Sequence, residues 1–273
     1  MKIAGRNLDV NNDGFIKILA IGNSFSRNAF SCLHQIMTAH GEKNIIMGNL
    51  HTDSGSLERA ALCAEGKATY QIFYKWDTSS KSYQYPNYSL ETALKEEDWD
   101  IISLQQVSGF SGQPDSYHPH LEKLVQFVEE NRTVKDGLTV WHMTWSYQQN
   151  ANHDKFSLYN SDQMTMYNAI CSTTQSEILT NDAFDLVVPS GTAIQNMRTS
   201  SIGDTLTADG YHLNAKACVI AGYAYYVTLK GEPVDSIHYH PASYEFSEEY
   251  LGAMKDAVNA TLEKPFEVTQ IQK

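Results

Sequence analysis

A serine near the start of the chain and an aspartate–histidine pair near its end could act together in acyl transfer. Ser24 follows the apolar run in IKILAIGNSFS, residues 16–26, while Asp209 and His212 are three residues apart in TADGYHLN. A histidine can accept the proton of a serine hydroxyl, and an aspartate can orient the imidazole and stabilise its charged form. These residues are candidates for a nucleophile, its base and an orienting acid.

Each of the three residues also has a structural explanation. A serine between a strand and a helix often caps the helix, Asp-Gly is a common turn, and a histidine can simply begin a helix. Their combination, at opposite ends of the chain and beside matching elements, favours the catalytic interpretation of Ser24, Asp209 and His212.

The elements that must position these residues alternate along the chain. Five apolar runs predict buried strands, and they cover residues 15–22, 44–50, 98–106, 138–145 and 184–191. Helical patterns cover residues 29–40, 56–68, 90–98, 121–131, 158–179, 213–231 and 250–262. We therefore predict a three-layer α/β/α sandwich with a five-stranded parallel sheet in flavodoxin-like order, whose ligands bind beyond the carboxyl ends of the strands. With no linker or repeat, residues 1–273 form one expected domain.

Composition excludes several classes of partner. The formal net charge of −12, without a basic cluster, argues against nucleic acid. No apolar run is long enough for a membrane span, and the first residues lack the apolar segment of a signal peptide. The sequence therefore predicts a soluble protein and leaves the compartment open, either cytoplasmic or exported with its leader removed. Four scattered cysteines predict free core thiols, and the oligomeric state stays undetermined.

The usual cofactor and metal motifs are missing from the sequence. It contains no GxSxG, GxGxxG, Walker or HExxH motif. DVNNDG, residues 9–14, starts like a calcium loop, but the twelfth position is Ala20 where a glutamate is needed. HYH, residues 238–240, has no obvious third ligand. We expect neither a metal nor an organic cofactor.

The segments IGNSFS and DGYH together resemble the SGNH (GDSL-like) hydrolases over nearly the whole chain. The resemblance implies a Ser24 nucleophile, a His212 base and an Asp209 partner from the D-x-x-H motif. The chain is similar to a largely uncharacterised bacterial branch of these hydrolases that is related to carbohydrate esterases. The aspartate that usually precedes the serine is Asn23 here, a change that we expect to affect the turn and not the proton transfer.

The same resemblance implies an oxyanion hole, a set of donors for the charge on the carbonyl oxygen. Its first donor is the backbone N–H of Gly55 in HTDSGSLE, with neighbouring Ser54 or Ser56 as alternatives in register. The family's GxND motif is absent, and LQQVSGFSG stands in its place. The asparagine role therefore passes to Gln105 or Gln106, with Gln105 preferred, and the backbone N–H of Ser24 is a third donor.

These inferences predict a serine esterase that removes acyl groups, most simply O-acetyl groups on a carbohydrate, through an acyl-enzyme. Its partner would be a small-molecule or oligosaccharide ester. Two alternatives remain: a lipase or thioesterase for longer acyl chains, and a glycan-binding module without turnover. Asn23, Trp145, Tyr147 and Tyr211 are candidate substrate contacts, although the three aromatic residues fit equally well in the core.

Overall fold

The computed structural model describes residues 6–271, in which one mixed sheet of seven strands carries helices on both sides. The sheet order is β4-β3-β2-β1-β5-β6-β7. The strands are β1 (Ile16–Gly22), β2 (Ile45–His51), β3 (Tyr70–Trp76), β4 (Ser82–Tyr88), β5 (Ile101–Leu104), β6 (Leu138–His142) and β7 (Leu186–Val188).

The predicted sheet of five parallel strands is wrong because it omits a hairpin. Strands β2, β1, β5, β6 and β7 are parallel, and their order is the flavodoxin-like one. β3 pairs antiparallel with β2, and β4 pairs antiparallel with β3. Six of the seven β4 residues are exposed, so this strand has no apolar run that would reveal it.

The helices form two groups that cover the sheet. α3, α4 and α5 pack together, while α1, α2, α7, α8 and α9 make a second connected group. The helices are α1 (Ser24–Phe30), α2 (Leu33–Ala39), α3 (Leu57–Ala64), α4 (Leu90–Glu96), α5 (His120–Asn131), α6 (Gln163–Glu177), α7 (Ser190–Arg198), α8 (Ala215–Lys230) and α9 (Glu248–Asn259).

Several helix boundaries differ from the sequence prediction. The helix expected over residues 29–40 is the pair α1 and α2, and α1 begins five residues earlier, at Ser24. The helix expected over residues 158–179 starts only at Gln163, because the Asp162 side chain accepts the Thr165 N–H and caps it. The sequence did not predict α7 at all.

β1 is the central strand that carries the chain to Ser24, and all seven of its residues are buried. Its last residue, Gly22, leaves no room for a side chain. A Cβ there would lie 2.7 Å from Ser26 Oγ and 2.9 Å from Gln105 Cδ. The glycine is therefore explained by the close approach of Gln105 to the end of β1.

The helices and the cysteines of the described residues bear on membrane insertion and on disulfide bonding. None of its helices combines the length and the apolar character that crossing a membrane would need. Its four cysteines are all buried as free thiols.

Candidate active site

Three side chains from the two ends of the chain form a continuous hydrogen-bonded row. His212 Nε2 lies 2.8 Å from Ser24 Oγ, and His212 Nδ1 lies 2.7 Å from Asp209 Oδ2. Because an ionised carboxylate only accepts hydrogen bonds, Nδ1 carries the imidazole proton and Nε2 accepts the Ser24 hydroxyl. This arrangement leaves the serine oxygen ready to lose its proton to His212.

A tight turn shapes the acid–base part of the row. Asp209 Oδ1 accepts hydrogen bonds from the backbone N–H groups of His212 at 2.8 Å and Tyr211 at 3.1 Å. Gly210, between Asp209 and Tyr211, has φ +97°. Partial burial of Asp209 opposes its ionisation, but the hydrogen bonds from the His212 ring and from these backbone groups outweigh it and lower its pKa. Asp209 therefore stays a carboxylate that can hold an imidazolium.

Asn23 organises the nucleophile from the opposite side. Its Oδ1 accepts the Phe25 N–H at 2.9 Å and caps α1, whose first residue is Ser24. Its Nδ2 donates to the carbonyl oxygen of Gly55 at 3.0 Å. Asn23 therefore joins the start of α1 to the loop before α3.

Gln105 and His142 extend this connection into the sheet. Gln105 Nε2 donates to Asn23 Oδ1 at 2.8 Å, and His142 Nδ1 lies 3.1 Å from Gln105 Oε1. Since the helix cap fixes Asn23 Oδ1 as an acceptor, Gln105 must present its NH₂ there and its Oε1 to His142. His142 therefore donates from Nδ1 and stays neutral, because burial lowers its pKa to about 3.

The predicted oxyanion donors are bonded to protein acceptors, except for Ser24. The Gly55 N–H donates to Thr52 O at 2.9 Å, and Gln106 Nε2 donates to Ser116 O and Oγ, each at 3.1 Å. Gln105 donates to Asn23, as described above. Ser24 lines the cavity, together with Ser54 and Ser56, the alternatives to Gly55.

A cavity of about 440 Å³ opens beside Ser24 and His212. Its walls come from the segments 53–54, 107–110 and 153–155, with Ser56, Tyr147 and Tyr211. Asn23 also borders it. Of the four candidate substrate contacts, Trp145 alone is absent from these walls. The side chains of Trp145 and Tyr147 are both fully buried, as the core alternative expects, although Tyr147 also borders the cavity.

The sequence analysis missed His153 and Lys155 in the wall of the cavity. His153 Nδ1 accepts the Lys155 N–H at 3.2 Å, and Nε2 lies 3.5 Å from the Tyr147 hydroxyl. Burial lowers the pKa of His153, and its Nδ1 also lies 3.1 Å from Asp154 Oδ1. His153 and Lys155 lie in the loop that follows the carboxyl end of β6, and this position is the feature of the sequence that could have indicated them.

A buried ion pair supports the segment that carries Asp209 and His212. Arg198 Nε on α7 lies 2.8 Å from Asp204 Oδ1, and Asp204 Oδ2 accepts the Gln149 N–H at 2.8 Å. Burial lowers the pKa of Arg198 to about 10, although Asp204 opposes this change. The guanidinium stays charged at neutral pH and ties the segment to α7.

Local hydrogen bonds form in both sequence features that imitate metal sites, although His240 Nδ1 is buried without a hydrogen-bond partner among the described residues. Asp9 accepts the backbone N–H groups of Asp13 at 3.1 Å and Gly14 at 3.0 Å. His238 Nε2 lies 3.1 Å from Asp235 Oδ1. Within residues 6–271, no three His, Cys, Asp or Glu side chains converge in a way that could hold a metal ion.

Comparison with known proteins places the chain in a family. Residues 17–258 match the model of a domain of unknown function, DUF4886. This chain belongs to the DUF4886 family. The crystal structure of a DUF4886 family protein from Bacteroides uniformis ATCC 8492 has 35% sequence identity to this chain and matches its structure with a TM-score of 0.87. The match covers 93% of this chain and 97% of that one.

More distant structures resemble this DUF4886 protein in fold. LAE5, an alpha/beta hydrolase enzyme from the metagenome of Lake Arreo, Spain, matches with a TM-score of 0.50 at 10% identity. The alignment covers 78% of this chain and 94% of LAE5, and it shows a shared fold. TesA matches at 12% identity and a TM-score of 0.48, over 78% of this chain and 98% of its own. No curated protein matches the sequence.

Proposed function

We propose that this DUF4886 protein is a serine hydrolase of the SGNH type that cleaves carboxylic esters. The observation that carries the proposal is the row of hydrogen bonds from Ser24 through His212 to Asp209, 2.8 and 2.7 Å long, beside a cavity. Turn chemistry alone gives no reason for a serine and a histidine 188 residues apart to meet in this orientation. LAE5, which shares the fold, is itself a hydrolase, and this adds support.

In the proposed reaction, Ser24 Oγ attacks the ester carbonyl while His212 Nε2 takes its proton. The Asp209 carboxylate holds the resulting imidazolium, which then protonates the departing alcohol. Water activated by His212 hydrolyses the acyl-enzyme and releases the acid. The Ser24 backbone N–H and the loop of Ser54 and Ser56 are the proposed neighbours of the oxyanion, because the other expected donors are bonded elsewhere.

The proposed substrate is a short acyl ester, an O-acetyl group on a carbohydrate. The cavity of about 440 Å³ has the size of a small-ligand site, and its wall includes polar groups such as Ser108, Asp53 and Lys155. These groups suit a hydroxyl-rich alcohol better than a long alkyl chain. Tyr211, beside His212, offers a ring on which a sugar can stack.

The proposal is tested by the hydrolysis of p-nitrophenyl acetate. Ser24→Ala should lower kcat by about 10⁴-fold or more, because the nucleophile is lost. Ser31→Ala is the matched control, since this exposed serine bonds only to Asn28 and to neighbouring Cys32. Equal rates for the wild type and Ser24→Ala would remove Ser24 from the mechanism.

A series of esters from C2 to C12 tests the acyl group. We expect kcat/KM to be highest at C2 to C4, and a maximum at longer chains would indicate the lipase or thioesterase alternative. Acetate release from an O-acetylated oligosaccharide tests the alcohol. Oligosaccharide binding with no acid release and no labelling of Ser24 by a fluorophosphonate would instead indicate a glycan-binding module.

A further inference from the structure

Trp145 touches the immediate neighbours of both Ser24 and His212 without lining the cavity. Its ring stacks on Phe25, the residue after Ser24, with centroids 4.3 Å apart and planes 14° from parallel. Its indole Nε1–H donates to the carbonyl oxygen of Tyr211, the residue before His212, at 2.8 Å. One side chain therefore links the helix of the nucleophile to the turn of the base.

The backbone that carries Trp145 is firmly supported. The Met143 N–H donates to Val188 O, and the Gly191 N–H donates to Met143 O, both at 3.0 Å. A Cβ at Gly191 would lie 2.3 Å from Thr144 O, so α7 packs directly against this segment. Trp145 thus projects from a rigid base that connects β6, β7 and α7.

Other hydrogen bonds also hold the turn that carries His212. The Gln148 N–H donates to Gly210 O at 2.8 Å, and the Ala208 N–H donates to His212 O at 2.8 Å within the turn itself. The Leu213 N–H donates to Asn28 Oδ1 at 3.1 Å. The hydrogen bond from Trp145 to Tyr211 joins this turn to the indole ring that stacks on Phe25, the residue after Ser24.

We propose that Trp145 is a positioning residue that sets the distance between Ser24 Oγ and His212 Nε2. This inference rests on the proposed function. Proton transfer needs the two atoms within hydrogen-bond reach, and a displacement of 1 Å can cost about 100-fold in rate. Without the indole N–H, Tyr211 O loses its partner and the His212 turn is free to shift away from Ser24.

The test compares Trp145→Phe with Trp99→Phe. Phenylalanine keeps an aromatic ring against Phe25 but removes the indole N–H. Trp99 is an equally buried tryptophan whose Nε1–H donates to Ala93 O at 2.7 Å, and it lies before the amino end of β5, whereas the cavity lies beyond the carboxyl ends of the strands. Both variants should lose similar thermal stability. Only Trp145→Phe should lower kcat for p-nitrophenyl acetate, by about 10 to 100-fold with KM little changed.

Hydrogen exchange provides a readout that does not depend on turnover. The amides of residues 208–213 should exchange faster in Trp145→Phe than in the wild type or Trp99→Phe. If the wild type hydrolyses no ester, the proposed function fails, and exchange alone decides the role of Trp145. If Trp145→Phe matches Trp99→Phe in both exchange and kcat, the proposal is overturned.

Phe25→Leu is the second variant, for use if Trp145→Phe does not fold. Leucine fills apolar space but removes the ring that stacks on Trp145. We expect the same loss of kcat and the same faster exchange over residues 208–213. Unchanged kcat and unchanged exchange in folded Phe25→Leu would contradict the role that we assign to the stack.

Discussion

The two sides of the proposed Ser24–His212 pair are held by different kinds of structure. On the nucleophile side, Asn23, Gln105 and His142 form a buried chain of hydrogen bonds across α1, β5 and β6. On the base side, the side chains of Asp209 and His212 are 43% and 33% exposed. They lie in a turn between α7 and α8 that belongs to no helix or strand of the sheet.

This difference separates what each side contributes. Buried polar groups are costly to leave unpaired, so substitutions on the nucleophile side should lower stability as well as activity. Groups on the exposed turn are solvated when they lose a partner, so substitutions there should act mainly on the rate. Variants on the two sides of the pair can test this division.

On the base side, Asp209→Asn should lower kcat for p-nitrophenyl acetate by about 10⁴-fold, because an amide cannot stabilise the His212 imidazolium or fix its tautomer. The melting temperature should change little. Asp235→Asn is the matched control, since Asp235 pairs with His238 at the same three-residue spacing on the surface. A kcat for Asp209→Asn close to that of the control would rule out Asp209 as the orienting acid.

On the nucleophile side, Gln105→Glu should lower the free energy of unfolding by about 1–3 kcal/mol, measured in urea at pH 7. The carboxylate cannot donate to Asn23 Oδ1 and instead faces an acceptor. We expect kcat to fall by about tenfold as the start of α1 shifts. As the pH is lowered, protonation restores a donor, and the difference from the wild type should narrow.

Gln105→Met separates the hydrogen bond from the charge. It keeps the volume of the side chain and removes both bonds without adding a negative group, so its loss of stability should be smaller than that of Gln105→Glu. If Gln105→Glu is as stable and active as the wild type, the buried chain does not position Ser24.

His142→Asn should have the smallest effect at neutral pH and a visible one in acid. In the folded protein, the pKa of His142 is lowered from 6.5 to about 3 by burial, so the unfolded chain binds a proton that the folded protein refuses. Stability is therefore lost as the pH falls from 6.5 towards 3, by up to about 1.4 kcal/mol per pH unit. Asparagine can donate to Gln105 without titrating.

The measurement is the free energy of unfolding between pH 7 and pH 4 for the wild type and His142→Asn. As the pH falls, the free energy of unfolding should decline less steeply for the variant, because its unfolding takes up close to one proton fewer. Parallel curves of unfolding free energy against pH would mean that His142 takes up its proton in the folded state at the same pH as in the unfolded chain. The direction of the hydrogen bonds through Gln105 would then need revision.

The sequence revealed the parallel part of the sheet because its strands are buried on both faces. β1 is a continuous apolar run, and such a run needs no partner to be recognised. β4 and α7 lack a comparable signal for opposite reasons. β4 is exposed along nearly all its length, while α7 is buried throughout although it contains several polar residues, so its burial is not visible in its composition.

The candidate site shows a similar division. Residue types, the position of Ser24 after a strand and the position of Asp209 and His212 before a helix were enough to select these three residues, and the structure brings them together. The orientation of Gln105 depends on the cap at Asn23 and on the tautomer of His142, and no local pattern encodes either. The role of Trp145 depends on two residues, Phe25 and Tyr211, that are 186 positions apart in the sequence.

The separation of 188 positions between Ser24 and His212 also determines when the proposed chemistry can begin during synthesis. At translation rates of 5–20 residues per second, the polypeptide carrying Ser24 waits about 10 to 40 s before its imidazole is made. A serine without an adjacent base is a weak nucleophile. Under the proposed mechanism, the nascent protein therefore cleaves no ester before the part of the chain that carries His212 has folded against Ser24.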